Sequence, residues 1–390
     1  MQLSIDPTSA KIMVSNLKPV VANPITDPAA VTYGSAFNFQ FAANVFADPD
    51  GNPLSFTASG LPPGISFAGA TRTFSGAPTA AGVFQVAVIA NDGGSPSLTA
   101  TNLFTITVNP ATLAITAEPQ LKTYGASDPA LTFTVGGLQL NDTPASVLGG
   151  SLTRVAGESV AGSPYAITQG NLVANSNYTI NFTGSTLAIA QAALSVTADA
   201  KTKIYGAADP AFTVTYSGFV NSETPTVLGG TLGFTRAPGG NVGSYPITPA
   251  GLTSGNYTIT FNTGTLSITP AALTITATAK SKTYGDTLAL NGATDFISSG
   301  LQSGETIGSV TLAASGSPAG TVATAAAGAY AITPSAATGG TFNPGNYTIS
   351  YASGVLTVNR AALSITADAQ TKVYGADDPA LTVAYAGFVN

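Results

Sequence analysis

Large apolar residues alternate with threonine along much of the chain. In Tyr257-Thr258-Ile259-Thr260-Phe261 they fall on every second position, and Leu266 and Ile268 resume the pattern after Asn262-Thr263-Gly264. A period of two predicts strands with one face on a core and a threonine face in water. The Asn-Thr-Gly break predicts that these two strands form a hairpin. Phe84, Val86 and Val88 alternate in the same way, as do Phe104, Ile106 and Val108. No window carries a helical period with caps. Val322 to Ala329 is alanine-rich, but it aligns with Gly243-Ser244-Tyr245 one repeat earlier and is read as loop and strand.

The strands come in repeats. Lys122-Thr123-Tyr124-Gly125 recurs as Lys203-Ile204-Tyr205-Gly206, Lys282-Thr283-Tyr284-Gly285 and Lys372-Val373-Tyr374-Gly375, with Tyr-to-Tyr spacings of 81, 79 and 90 residues. About ten residues before each Tyr stands a short strand beginning at Leu113, Leu194, Leu273 or Leu363. Asn177-Tyr178-Thr179, Asn256-Tyr257-Thr258 and Asn346-Tyr347-Thr348 mark the ends of the full units. A period of this length fits small whole domains rather than a solenoid. The expected organisation is a leader or the end of a preceding segment (1–16), a different module lacking the repeat markers (17–110), three complete repeats (111–191, 192–270, 271–360) and an incomplete fourth (361–390). Thirty residues cannot close a core alone, so the chain is expected to be a piece of a longer array. The junctions Gln191-Ala192-Ala193, Pro270-Ala271-Ala272 and Arg360-Ala361-Ala362 leave no flexible linker. The fold class expected is all-β, a tandem array of small Ig-like β-sandwiches arranged end to end.

Composition narrows the chemistry. Charged residues make up 8% of the chain, against about 25% in an ordinary soluble domain. Threonine-faced strands account for that scarcity. The balance of 12 basic and 18 acidic residues, net −6, argues against nucleic acid. There is no Cys, His or Trp. Disulfides, thiolate or imidazole catalysis and most zinc chemistry are therefore excluded. No apolar run reaches the 18 residues that a membrane helix needs. Met1 to Asp6 lack the features of a signal peptide.

Two resemblances follow from particular residues. The string from Asp48-Pro49-Asp50-Gly51-Asn52 through Gly60-Leu61-Pro62-Pro63-Gly64 to Gly76-Ala77-Pro78 resembles Putative Ig domains and dystroglycan-type cadherin-like domains of large surface proteins. The Tyr-Gly pairs, the Asn-Tyr-Thr triplets and Gly218-Phe219-Val220-Asn221 followed by Glu223 resemble the MBG domain of the YGX type. Such domains occur as tandem copies in bacterial cell-surface proteins. The third unit departs from the pattern: Asp286-Thr287-Leu288 follows its Tyr-Gly, without the Asp-Pro seen at 128, 209 and 378. The resemblance implies an adhesin-like or stalk-like protein of the bacterial surface or medium, with no enzymatic activity. Signal and anchor are not expected within this segment.

Candidate chemistry is sparse. Asp48, Asp50 and Asn52 offer oxygens at alternate positions and Gly51 permits a sharp turn, so calcium is the candidate ion, with Asp92 and Asp27 as further ligands. The alternative is an Asx-rich turn whose side chains cap their own backbone. No other cofactor is called for. A buried, neutral lysine at 122, 203, 282 or 372 would suit an isopeptide cross-link to Asn, but a position two residues before Tyr-Gly is expected to expose it. The recurring tyrosines read as core rings with hydroxyls bonded at an edge. The glycine after each Tyr reads as a backbone angle that other residues avoid. The Asn of each triplet is read as a turn residue. Glu occurs only at 118, 158, 223 and 305, and Glu223 and Glu305 occupy equivalent sites, which reads as structural. The expected role is that of a spacer, in which four complete domains in line would reach on the order of 120 Å. The competing reading is a multivalent binder of glycans or host surface proteins with a calcium-stabilised first domain. Neighbouring domains of a longer chain are the expected partners.

Overall fold

The computed structural model describes residues 2–5 and 12–389, with side chains from Ser15 onward. Residues 1 and 6–11 of the expected leader, and Asn390, lie outside the described residues. Nearly every described element is a strand. The exceptions are one helical turn, Pro144–Val147, and two 3-10 turns, Pro225–Val227 and Pro344–Asn346. Val322 to Ala327 form a loop that runs into the strand Gly328–Gly340.

In the module over 17–110 the two alternating segments become the strands Gly82–Asn91 and Thr99–Asn109, paired antiparallel from Gly82↔Val108 to Asn91↔Thr99. They form the centre of a four-stranded sheet, with Ser55–Ser59 on one side and the two-residue strand Val31–Thr32, parallel to the end of Thr99–Asn109, on the other. A three-stranded sheet (Phe37–Gln40, Thr73–Gly76, Ile65–Ala68) covers it. Phe74, fully buried, lies among the rings of Phe39, Phe41, Phe67 and Phe104, so large aromatic area fills the space between the sheets.

The three complete repeats share one topology. In the first, Ala111–Ala117 is the centre of a three-stranded sheet between Phe133–Gly136 and Tyr178–Thr183. The second sheet runs Gln120–Thr123, Ser185–Ala190, Tyr165–Thr168, Thr153–Arg154. The other two repeats give the same orders. Leu113, Ile115 and Leu187 are fully buried between the sheets, with Leu194, Val196 and Leu266, and Leu273, Ile275 and Leu356, in the same places later.

The expected hairpin at 257–269 does not form. Tyr257–Asn262 joins the three-stranded sheet and Gly264–Thr269 the four-stranded one, so the intervening Thr263 carries the chain across the sandwich. Alternation fixed the buried face of each strand correctly, but a turn signal does not say whether the next strand continues in the same sheet. In 361–390, Ser364–Ala367 pairs with Val383–Ala386. The side chains that are interior in the earlier repeats, such as Leu363 and Ile365, are exposed there.

By internal packing the described residues form two units. The first holds the chain through Ala192 together with Gly255–Thr258, and the second holds the remainder. In the first unit the hydrophobic core is continuous from Ile106 and Val108 of the first module into Leu113 and Ile115 of the first repeat. In the second, Tyr205 of the second repeat packs against the core of the third.

Candidate functional site

The tyrosine motifs meet at joints between consecutive modules. In the first unit Tyr33 and Tyr178 pack edge to face, with centroids 5.2 Å apart and planes at 73°. Both hydroxyls donate to the same oxygen, Asp142 Oδ2, at 2.9 and 2.6 Å. The Gln139 amide donates to the Tyr178 hydroxyl at 2.8 Å. Asn177, preceding Tyr178, accepts the Ala81 amide of the first module at 2.9 Å. Both rings are buried, while Asp142 is half-buried.

The second unit repeats the arrangement. Tyr205 and Tyr347 lie 5.5 Å apart at 77°. Tyr205 donates to Glu305 Oε1 at 2.6 Å, and the Tyr347 hydroxyl donates to Oε2 of the same carboxylate. The Gln302 amide donates to the Tyr347 hydroxyl at 3.0 Å. Asn346 accepts the Val242 amide at 2.9 Å, and its own amide group donates to Asn241 Oδ1. Within the first unit, the Tyr124 and Tyr257 rings meet at 5.5 Å and Asn256 accepts the Val160 amide at 3.0 Å.

The glycines of Tyr-Gly let these joints close. Gly34 and Gly206 have φ of +77° and +82°. A Cβ on Gly34 would lie 2.6 Å from Gln139 Cβ, and one on Gly206 would lie 2.1 Å from Gln302 Oε1. The expected backbone freedom is therefore present, and close approach by the following repeat adds a second reason for glycine.

Burial first, and then the hydrogen bond to Asp142, push the Tyr178 phenol up to about 12. Burial and Glu305 do the same for Tyr347, also to about 12. These phenols stay protonated and act as donors, which suits cohesion and not nucleophilic chemistry. The core reading of the tyrosines is corrected in one respect: the rings of Tyr124, Tyr178, Tyr257 and Tyr347 are buried, but at the seams between modules, while Tyr205 and Tyr284 are half-buried and Tyr374 is exposed. The Asn of each triplet stands in a turn, bend or 3-10 turn as expected, and its side chain also ties it to the preceding module. Tyr33-Gly34 was missed because the first module was read as lacking the markers, although the same dipeptide stands there in the sequence. The signal for Asp142 was its offset, five residues after Gly137, matching Glu223 after Gly218 and Glu305 after Gly300.

The recurring lysine is corrected too. Lys122 and Lys282 are buried, each 7% exposed, while Leu121 beside Lys122 is 67% exposed. Period-two geometry explains the inversion, since Lys122 shares a face with buried Tyr124. Lys122 Nζ bonds Asp128 Oδ1 at 2.6 Å and Glu158 Oε2 at 2.5 Å. Arg154 pairs with the same two carboxylates and lies 5.5 Å over the Tyr165 ring. Burial opposes the Lys122 charge, but Asp128 and Glu158 outweigh it and raise its pKa. Lys203 and Lys372 pair with Asp209 and Asp378 in the same way. In the third repeat, which lacks Asp-Pro, Lys282 donates to the carbonyls of Asp286 and Val322 instead. The partners these amines bond are carboxylates and main-chain carbonyls rather than the Asn side chain that a cross-link would join.

The candidate calcium loop gathers around Asn16. Asn16 Nδ2 donates to Asp92 Oδ2 at 2.8 Å, and Asn52 Nδ2 donates to Asn16 Oδ1 at 3.0 Å. Asp48 Oδ1 accepts the amides of Asp50 and Asn52, Asp50 Oδ2 accepts the Leu17 amide, and Asp92 Oδ1 accepts those of Gly94 and Leu98. Most of these oxygens therefore face N–H donors, in the manner of Asx turns. Asp48 Oδ2 is buried without a hydrogen-bond partner. Among the described residues no three acidic side chains converge closely enough to hold a metal ion. Asp27 binds the Thr105 amide at 2.6 Å instead of joining the loop.

Comparison with known families matches the MBG domain (YGX type) at residues 113–188, 194–267, 273–357 and 363–390. The Putative Ig domain matches at residues 18–109. No curated protein is similar to the chain. Among solved structures, a nucleoside hydrolase-related hypothetical protein from Saccharophagus degradans is 23% identical, covering 24% of this chain and 26% of its own, at a TM-score of 0.20. Mouse cadherin-23 EC22-24 is 12% identical over 65% of this chain and 99% of its own, at 0.25. Drosophila N-cadherin EC1-4 is 9% identical over 86% of this chain and 100% of its own, at 0.21. The chain spans about a quarter of the length of the first of these. At such TM-scores the structural likenesses carry no further argument.

Proposed function

Since the chain belongs to the MBG (YGX type) domain family, with a Putative Ig domain ahead of its repeats, we propose that it is a spacer segment of a bacterial cell-surface or secreted adhesin-like protein. The families found are structural and non-catalytic, and they are of the surface type. The observation that carries the finer reading is the joint: two tyrosines from consecutive modules share one carboxylate, at Asp142 and again at Glu305. Recurring polar side chains are thus engaged in holding one module to the next. No helix of the described residues is long and apolar enough to cross a membrane. Small-angle scattering of the whole chain tests the proposal. A spacer gives a radius of gyration well above the roughly 21 Å expected of a compact 390-residue chain, and a value near that figure overturns it.

A second element of the proposal is calcium at Asp48, Asp50, Asn52 and Asp92, supported by the buried, unbonded Asp48 Oδ2. Titration calorimetry with calcium chloride on the whole chain should give heat that Asp48→Asn abolishes. No heat at millimolar calcium removes this element and leaves the spacer reading intact.

A further inference from the structure

The chain passes from module to module almost without slack. The strand Thr99–Asn109 ends one residue before Ala111–Ala117 begins, and Ser185–Ala190 ends one residue before Ala192–Ala198. Any pull along the polypeptide therefore enters the first repeat at Ala111 and leaves it at Ala190. What resists that pull is set by how the first strands are paired to the last ones.

Both pairings are parallel. Ala111–Ala117 runs beside Tyr178–Thr183 in register from Ala111↔Tyr178 to Thr116↔Thr183. Gln120–Thr123 runs beside Ser185–Ala190 from Gln120↔Leu187 to Thr123↔Ala190. The Tyr124 amide adds a bond to the Ala190 carbonyl at 2.8 Å. When an early strand is drawn back by its start and a parallel late strand forward by its end, the two slide along each other. Every bond of the ladder is then strained at once. An antiparallel hairpin, or a parallel pair pulled from one end, opens one bond at a time, and each net bond is worth only about 0.5–1.5 kcal/mol.

The same parallel pair recurs in the second repeat, from Lys201↔Leu266 to Ile204↔Thr269, and in the third, from Lys280↔Leu356 to Thr283↔Asn359. The first module has a shorter version: Val31 and Thr32 beside Val108 and Asn109. Lys122 lies on the sliding strand, and its amine sits between Asp128 and Glu158. Sliding would draw that buried amine away from its two half-exposed carboxylates, which adds to the resistance.

We propose that each complete repeat is a tension-bearing element, in which the parallel pair formed by its second strand (Gln120–Thr123 in the first repeat) and its last strand is a clamp loaded in shear. The proposal does not depend on the spacer reading, because a repeat could resist tension whatever the dimensions of the whole chain.

Forced unfolding is governed by the unfolding rate, so the rupture force reads the clamp directly. The chain has no cysteine, so introduced pairs are unique attachment points. Thr112, Thr179 and Ala190 are exposed, so changing them leaves the core alone. In the whole chain, a Thr112→Cys, Ala190→Cys variant pulls the repeat in shear. A Thr112→Cys, Thr179→Cys variant pulls paired neighbours apart from one end. At one loading rate in a single-molecule force instrument, the first geometry is expected to yield at a several-fold higher force. Adding Lys122→Met should lower that force and leave the second unchanged. Equal rupture forces in the two geometries would overturn the proposal.

Discussion

Removing the carboxylate of Glu305 would strand two hydroxyls at once, those of Tyr205 and Tyr347. An unsatisfied buried donor costs about 1–3 kcal/mol, so Glu305→Ala should lose roughly that amount for the buried Tyr347 hydroxyl and less for the half-buried Tyr205, read from urea unfolding of the whole chain. Tyr347→Phe keeps the ring pair and deletes one donor. It should cost less, about 0.5–1.5 kcal/mol. The joint should also report on pH. A tyrosine in an unfolded chain ionises near pH 10. Tyr178 and Tyr347, raised to about 12 by burial and a carboxylate neighbour, contribute stability that is complete below pH 10 and is lost as pH climbs toward 12. Asp128 acts at the other end of the scale. Hydrogen bonds from Arg154 and then Lys122 hold it at about 2, so its contribution is complete above about pH 4 and is lost as pH falls toward 2. Thermal melts across both ranges check the two signs. Melts of Lys122→Met and Arg154→Met should show the acid-side loss reduced, because the depressed Asp128 pKa has lost a cause.

The individual strands were legible because alternation is a local property. Leu113 and Ile115, Leu266, and Leu273 and Ile275 all face the interior that their spacing assigned them. Truncating one of them, as in Leu266→Ala, should cost about 2–5 kcal/mol, read from the shift of the unfolding midpoint. The partner of each strand was less legible. The Asn262-Thr263-Gly264 break looks like a hairpin turn and is a crossing between sheets, because pairing is decided by the whole sandwich and not by the turn. Lys122 was also misplaced: a position two residues before Tyr-Gly is expected to expose it, yet it is buried and the apolar Leu121 beside it points outward. Register against Tyr124, two positions on, would have placed the lysine inside. The glycine of Tyr-Gly was read from backbone conformation alone. Gly206→Ala should cost at least about 1 kcal/mol from its left-handed φ, and Gln302→Ala should relieve only the part due to contact.

At the scale of the whole molecule, the Tyr-Gly and Asn-Tyr-Thr motifs were recognised as markers but not as the two halves of one contact. The sequence places their tyrosines 54, 52 and 63 residues apart within the three complete units, whereas each completes a seam with its counterpart in the neighbouring module. The Tyr33-Gly34 dipeptide extends the device to a module of a different family. Cohesion of modules is thus written in tyrosine, asparagine and one acid, and fixed orientation across a joint is its direct consequence. Spin labels on Thr235→Cys and Thr333→Cys, both exposed and on either side of the Tyr205–Glu305–Tyr347 joint, measure that orientation by electron–electron distance. One narrow distance distribution, broadened by Glu305→Ala, is the predicted result. A broad distribution in the unaltered joint would contradict it.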